Sequence, residues 1–470
     1  GALMRPGAGD SCLTILHFND FHGKFEADEN AKGPAGGAAR LVSVLRKAEK
    51  ESAKRGCDTY VLFGGDAYSG SLISSEFKGK AERRFLNFAG VDAMVLGNHD
   101  FDYGLAGVKA LVKESSFPVI SANVYLDTGP SLLLPTAVLG PKGASAVVLL
   151  GLTSAETPLL TSAKNVDGLV FKDPIDEAKR REDEMKWMAP IKIALTHMGV
   201  AADEKLAGEV KTFDAVIGGH DHVFSENYCR LIGKTPVCQT PAYGKYVGEV
   251  RFAIGPSGAK FEGSRLIPVD ASVPEDPAVA AMVKEYADAI KRKFDSVVGE
   301  ASADIKRLRE DRPHAMGVLV ADSFREAGKA YAGLIINGAV RANIAKGPVR
   351  LKDAAAVLPF ESQVVVLSLT GAALLKVLAH GVKRAGASFP QVAGITFDVV
   401  GDLPKNVKVK GKPINLKAKY KLAVDDFVAD GGEGFDMLKG LPRKDTGIIT
   451  RDALAGYIEK RKVISPPKVD

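Results

Sequence analysis

The sequence has a single tryptophan in 470 residues, only four cysteines, and no apolar run near the ~18 residues that a membrane-spanning helix needs. It lacks internal repeats and low-complexity segments, which excludes solenoids, fibrous proteins and long disordered linkers. It also lacks a strong charge imbalance. Lys and Arg number 63 against 57 Asp and Glu, a net charge of +6. That is far from a nucleic-acid footprint, although a mildly positive chain suits a small phosphorylated substrate. Cysteines this sparse exclude a disulfide-dense scaffold. Two readings of Cys12, Cys57, Cys229 and Cys238 stay open: buried thiols, or bridges. Cys229 and Cys238 are near neighbours that could close a small loop. Cys12 and Cys57 each open an apolar run and could lie side by side on adjacent strands.

What is present is ordinary globular composition, 46% apolar and 26% charged, in a chain long enough for two or three cores. Residues 1–3, ahead of Met4, are read as an appended segment outside the fold. The first half alternates short β-rich runs ("CLTILHFND", "TYVLFGGD", "VDAMVLGNHD", "IKIALTHMG", "FDAVIGGHDH") with helical stretches such as "GGAARLVSVLRKAEKESAKRG". This alternation predicts a layered α/β domain, whose sites lie at strand ends. Residues 276–299 carry apolar positions at helical spacing amid charge and predict a long helix joining two domains. A second region with its own strands and helices starts near residue 304.

The strand ends of the first half carry metal-ligand residue types: Asp20 and His22 in "FNDFHG", Asp66 in "FGGDAYSG", Asn98 in "GNHD", His197 in "LTHMG", and His220 and His222 in "GGHDH". Asp–X–His and His–X–His turn both side chains to one side of an extended segment, so both can reach one ion. Five of the eight histidines fall in these motifs. Carboxylate, imidazole and one neutral amide suit two divalent ions such as Zn²⁺, Mn²⁺, Co²⁺ or Fe²⁺, with no thiolate cage. Seven ligands exceed what one tetrahedral ion takes and suit two ions sharing a carboxylate. Asp66 is the expected bridge, because its two oxygens can serve both ions. His17 is assigned to the core or a supporting position, and His314 and His380 to the surface.

In this order, "ILHFNDFHG", "GGD", "GNHDFDYG", "THMG" and "GGHDH" resemble the calcineurin-like metallophosphoesterases. "IINGAVRANIAKGPVRLKDAAAVLPFESQVVVLSLTGAALLKVLAHGV" and "YKLAVDDFVADGGEGFDML" resemble the C-terminal domain of the 5′-nucleotidase family. The resemblance implies a four-layer α/β-β-α metallophosphoesterase sandwich over residues 12–272, a linker helix over 273–303, and a smaller α/β substrate-binding domain over 304–466. It assigns His99 and Asp102 as the catalytic dyad, with Asp102 holding and orienting the imidazole and His99 facing the phosphate. Asp100, between them, is given no chemistry.

The resemblance further implies a two-metal hydrolase that removes phosphate from nucleoside 5′-monophosphates by attack of a water or hydroxide activated on the ions. Phe360 in "LPFESQ" and Phe435 in "GGEGF" match the rings that sandwich the base, and Asn337 and Arg341 match residues at the substrate. The family usually has three glycines before Ile-Arg, and this chain has "NGAVR", one residue shorter. Of Arg307, Arg309 and Arg312 before Met316, Arg307 is favoured as a second phosphate ligand. Glu433 stands where the family has Asp. The nucleotide is the expected partner, with no nucleic acid and no membrane span, in a periplasmic or secreted location that brings an expected Cys229–Cys238 disulfide. Relatives imply alternatives: a nucleotide sugar, a dinucleotide, a 2′,3′-cyclic nucleotide or a sulfur ester as substrate, and, less favoured, a nucleotide binder without turnover.

Overall fold

The computed structural model describes residues 11–28, 31–140, 146–161, 163–225, 227–255, 258–308 and 311–469. Residues 1–3 and Arg309 lie outside these. The chain divides into two compact units, residues 1–290 and 291–470.

The N-terminal unit is built on two six-stranded sheets. The first orders Gly258–Pro268, Tyr246–Gly255, Ser11–Phe18, Cys57–Phe63, Ala93–Val95 and Val119–Ile120. Its last four strands run parallel. The second orders Cys229–Ile232, Thr235–Gln239, Ala215–Gly218, Ile191–His197, Val147–Thr153 and Thr136–Leu139, with a parallel centre. Strand side chains alternate between faces, and both faces are apolar. Leu13, Ile15, Tyr60 and Leu62 face the second sheet, meeting Leu149, Ile193, Leu195 and Ile217. Leu16, Phe18, Val61 and Phe63 face outward, where helices Ala38–Lys54 and Lys80–Ala89 cover them with Leu41, Val42, Leu45, Phe85 and Leu86. Helices Pro174–Met185 and Val200–Glu209 cover the far face of the second sheet through Ile175, Ala178, Leu206 and Ala207. The result is the four-layer α/β-β-α sandwich.

Both cysteine pairs are bridged. Cys12 and Cys57 are register partners on adjacent parallel strands, and Cys229 and Cys238 on an antiparallel pair. The second bridge closes the hairpin that follows the "GGHDH" loop. Denatured without reductant, the protein is expected to show no reactive thiol; titration of all four would contradict both bridges.

The long helix is Pro277–Phe294. Residues 297–301, expected within the linker, form the central strand of a three-stranded sheet between Gly347–Arg350 and Val463–Ile464, because the β-branched pair Val297–Val298 followed by Gly299 suits extended chain better than a helix. The C-terminal unit centres on a mixed sheet ordered Pro390–Ala393, Ala332–Ile336, Lys419–Asp425, Gln363–Thr370 and Arg443–Ile449. Helix Gly371–Arg384 packs Leu374, Val377 and Leu378 against Leu334, Val365, Leu367 and Leu422 of this sheet. Among the described residues no helix is long and apolar enough to cross a membrane.

Candidate metal centre and substrate cavity

Parallel strands of both sheets end at one place. Asp20 and His22 follow Ser11–Phe18, Asp66 follows Cys57–Phe63, Asn98 follows Ala93–Val95, His197 ends its own strand, and His220 and His222 follow Ala215–Gly218. Asp20, His22, Asp66, His220 and His222 all have positive φ, between 50° and 101°. Such backbone is costly for side-chain-bearing residues and collects at functional sites. The approach is tight: a Cβ at Gly97 would lie 2.2 Å from Asp66 Oδ1, so only glycine fits there.

The side chains form two groups whose candidate ligand atoms lie within 4.8 Å of one another. One holds Asp20, His22, Asp66 and His222; the other holds Asp66, His197 and His220. Asp66 belongs to both. Its Oδ2 faces His197 Nε2 at 3.2 Å and His22 Nε2 at 3.7 Å. Its Oδ1 accepts the His99 backbone N–H at 2.8 Å. Oδ2 is thus the oxygen turned toward both groups, while Oδ1 takes a backbone donor. Asp20 is held similarly. Its Oδ2 accepts from Asn19 Nδ2 (2.6 Å) and the His220 N–H (2.8 Å), while Oδ1 lies 3.0 Å from His222 Nε2.

The imidazoles are oriented from behind. His22 Nδ1–H donates to the Tyr68 carbonyl (3.1 Å) and His197 Nδ1–H to the Gly64 carbonyl (2.6 Å), so both present Nε2 to the groups. His22 Nε2 and His222 Nε2 lie 3.0 Å apart, close enough to reach one cation together. His197 Nε2 and Asn98 Oδ1 are buried without a hydrogen-bond partner. Burial opposes charge on His197, yet the Asp66 and Asp20 carboxylates raise it to about 10. Those carboxylates stay below the usual range despite burial, through His197 and the neighbouring imidazoles. A pocket that draws positive charge, with an imidazole nitrogen and an amide oxygen buried without partners among its residues, fits divalent cations.

Beside it, His99 Nδ1–H donates to Asp102 Oδ2 at 2.7 Å. Asp102 also accepts from the Ser69 hydroxyl and, at 2.8 Å through Oδ1, from Thr161. Burial opposes charge on His99, but the Asp102 bond and the Asp66 charge raise it to about 9. Asp100, given no chemistry from sequence, accepts three backbone N–H groups, from Gly97 (2.8 Å), Asp66 (2.9 Å) and Ala67 (2.9 Å). It stitches the Asp66 loop to the Asn98 loop. Its bond back to Gly97 has a local signal, an acidic side chain closing a glycine turn; Asn19, Ser69 and Thr161 have none.

The C-terminal unit carries a cavity of about 280 Å³ lined by Arg341, Phe360, Phe427, Glu433 and apolar residues around Ile335 and Leu358. Phe360 is 47% exposed and Phe427 52%. Phe435 is not part of this cavity. It is fully buried in the core, 4.6 Å from the His380 ring. The short helix Asp426–Ala429 buries Val428 and Ala429 and leaves Phe427 outside, whereas the glycine turn that follows folds Phe435 inward.

The Arg341 guanidinium sits 5.3 Å from the Phe360 ring centre, and Arg307 Nη1 donates to the Arg341 carbonyl at 3.3 Å. Asn337 is buried and is not among the lining residues. Its Oδ1 accepts from His314 Nε2 (3.0 Å) and Gln391 Nε2 (2.9 Å). His314, assigned to the surface from sequence, is buried because it caps helix Ala315–Ala327 through Gly317 N–H. His380 is half-buried and donates to the Glu433 carbonyl at 3.1 Å. The Glu433 carboxylate is bound by Arg384 (3.3 Å) and Ser388 (3.1 Å).

Residues 13–224 match the calcineurin-like phosphoesterase family and residues 297–440 the 5′-nucleotidase C-terminal domain. The 5′-nucleotidase of Homo sapiens is 32% identical over 99% of this chain and 91% of its own length. The crystal structure of a 5′-nucleotidase precursor from Thermus thermophilus is 28% identical, with TM-score 0.62 over 96% of this chain and 97% of that one. A Staphylococcus aureus structure described as a putative 5′-nucleotidase shares the fold at TM-score 0.71 and 20% identity, covering 97% and 98%.

Proposed function

The chain belongs to the 5′-nucleotidase family and is a metal-dependent phosphoester hydrolase, and from that premise we propose that it cleaves nucleoside 5′-monophosphates to nucleoside and phosphate. The observation that carries the nucleotide reading is the cavity of the C-terminal unit, where two aromatic rings stand exposed beside Arg341. Exposed rings offer stacking faces that any base can use, and the guanidinium offers donors to phosphate or sugar oxygens.

Two divalent ions held by Asp20, His22, Asp66, Asn98, His197, His220 and His222 would supply Lewis acidity toward water and the phosphoryl oxygens. Asp66, which belongs to both groups, would serve both ions. His99 keeps Nδ1–H on Asp102 and a proton at Nε2 for a phosphoryl or leaving oxygen. Ser69 and Thr161 fix Asp102, and thereby the ring. Arg307 and Arg341 would bind the substrate's anionic end and Phe360 and Phe427 the base, with Phe427 taking the place given to Phe435 from sequence. Asn337 would shape the Arg341 loop instead of touching substrate. The two disulfides suit an oxidising compartment, which supports a periplasmic or secreted location.

Phosphate release from AMP by metal-loaded protein, abolished by chelator, is the direct test. Turnover of a dinucleotide, a cyclic nucleotide or a sulfur ester with none of AMP would overturn the substrate assignment. The rings separate recognition from stability. Phe427→Ala should raise KM for AMP by the loss of one stacking contact, about 1–3 kcal/mol, and leave a small aryl phosphate unaffected. Phe435→Ala should cost about 3–5 kcal/mol of stability, the usual loss for a buried ring, and affect both substrates alike. Wild-type AMP kinetics in Phe427→Ala would remove that ring from the site.

A further inference from the structure

Tyr243 touches three of the four residues in one ligand group. Its hydroxyl lies 3.2 Å from His222 Nδ1, its backbone N–H donates to the Asp20 carbonyl at 2.8 Å, and its ring centre lies 5.9 Å from that of His22. Its own φ is +69°, so a bulky residue occupies left-handed backbone beside the group. The contrast among the imidazoles gives this contact its meaning. His22 and His197 are oriented by backbone carbonyls, Tyr68 and Gly64, which are parts of the loops themselves. His222 is the more exposed ring, its side chain 33% accessible against 8% for His22 and none for His197, and a side-chain hydroxyl is what meets its rear nitrogen.

We propose that Tyr243 is a positioning residue of the metal centre, holding His222 in the tautomer and orientation that turn Nε2 toward Asp20 and His22. With Nε2 kept as a lone pair for a cation, the ring proton sits on Nδ1 and donates to the tyrosine oxygen, the arrangement by which ligating imidazoles are usually aimed. The hydroxyl thereby tunes the affinity of the Asp20–His22–Asp66–His222 group and leaves the His197–His220 group alone. This rests on the reading of these residues as metal ligands, so the test must separate the two.

Mn²⁺ titrated into metal-free protein by calorimetry, with His222→Ala as reference, does so. Tyr243→Phe keeps the ring and the backbone contact and removes only the hydroxyl. It should weaken one Mn²⁺ equivalent by about 10–100-fold, the usual cost of losing a partner behind a ligand, and leave the other unchanged. The melting temperature of metal-free protein should not move, whereas a merely structural tyrosine would shift it and leave both affinities intact. If His222→Ala loses one equivalent while Tyr243→Phe binds both as wild type does, the proposal is overturned. If His222→Ala also binds both normally, the ligand reading fails, and the proposal fails with it.

Discussion

Replacing His99 with Asn should lower kcat by about 10²–10⁴-fold, the range for a positioned proton-transfer group, while the metal content stays that of wild type. His99 stands outside both ligand groups, and its Nδ1 is taken by Asp102 at 2.7 Å. Its backbone N–H, not its ring, contacts Asp66, so the substitution keeps that contact. The pH profile offers an independent readout. The Asp102 bond and the Asp66 charge hold the imidazolium proton against burial, up to about 9. Protonated His99 is therefore present at neutral pH and is lost as pH rises. Cations that neutralise Asp66 weaken part of that hold, so the basic limb of kcat should fall at or below this value. The limb should vanish in His99→Asn. Wild-type turnover in the variant would remove His99 from the chemistry. Asp102→Asn should lie between, because the isosteric amide keeps an oxygen that can accept from Ser69 or Thr161 while losing the charge that holds the imidazolium proton.

Asp66→Ala should be more damaging still, and in a different way. Asp66 is the carboxylate that both ligand groups share, so its loss weakens both at once, where His220→Ala or His222→Ala weakens one. Removing several kcal/mol of charge stabilisation corresponds to a rate loss on the order of 10³-fold or more. Elemental analysis after dialysis should show substoichiometric metal, against the two ions per chain expected of the wild type. The variant also frees the His99 N–H that Asp66 Oδ1 holds, so the dyad loses an anchor together with the cations. Full metal retention with unchanged activity would contradict the shared role of Asp66.

The candidate metal residues were legible because their pattern is local. Asp–X–His and His–X–His follow directly on apolar strand runs, and parallel strands bring such ends to one edge. The extended segment expected for the motifs themselves is not what forms, since Asp20, His22, His220 and His222 lie beyond the strands in backbone of positive φ. The pairing of Cys12 with Cys57 was readable only as a possibility, since adjacency of two strand starts depends on register. The layered α/β class followed from alternating strand and helix patterns. The sandwich of two sheets was implied by resemblance, not by periodicity, because strands buried on both faces carry no face-selective pattern.

Other features belong to the tertiary structure alone. Phe427 and Phe435 lie eight residues apart in one glycine-rich segment, and nothing local says which ring faces a cavity. A four-residue helix that buries Val428 and Ala429 sends Phe427 outward, and the core closing on His380 takes Phe435. Asp100, Ser69 and Thr161 become supports because loops far apart in sequence meet, and one Asp66 oxygen faces both candidate ligand groups because His99 N–H reaches the other. Residue type and short-range spacing determined which atoms this protein can offer to a cation. Which of those atoms face one another is decided by packing, since a hydrogen bond or a buried ring forms only where distant segments are already held within a few tenths of an ångström.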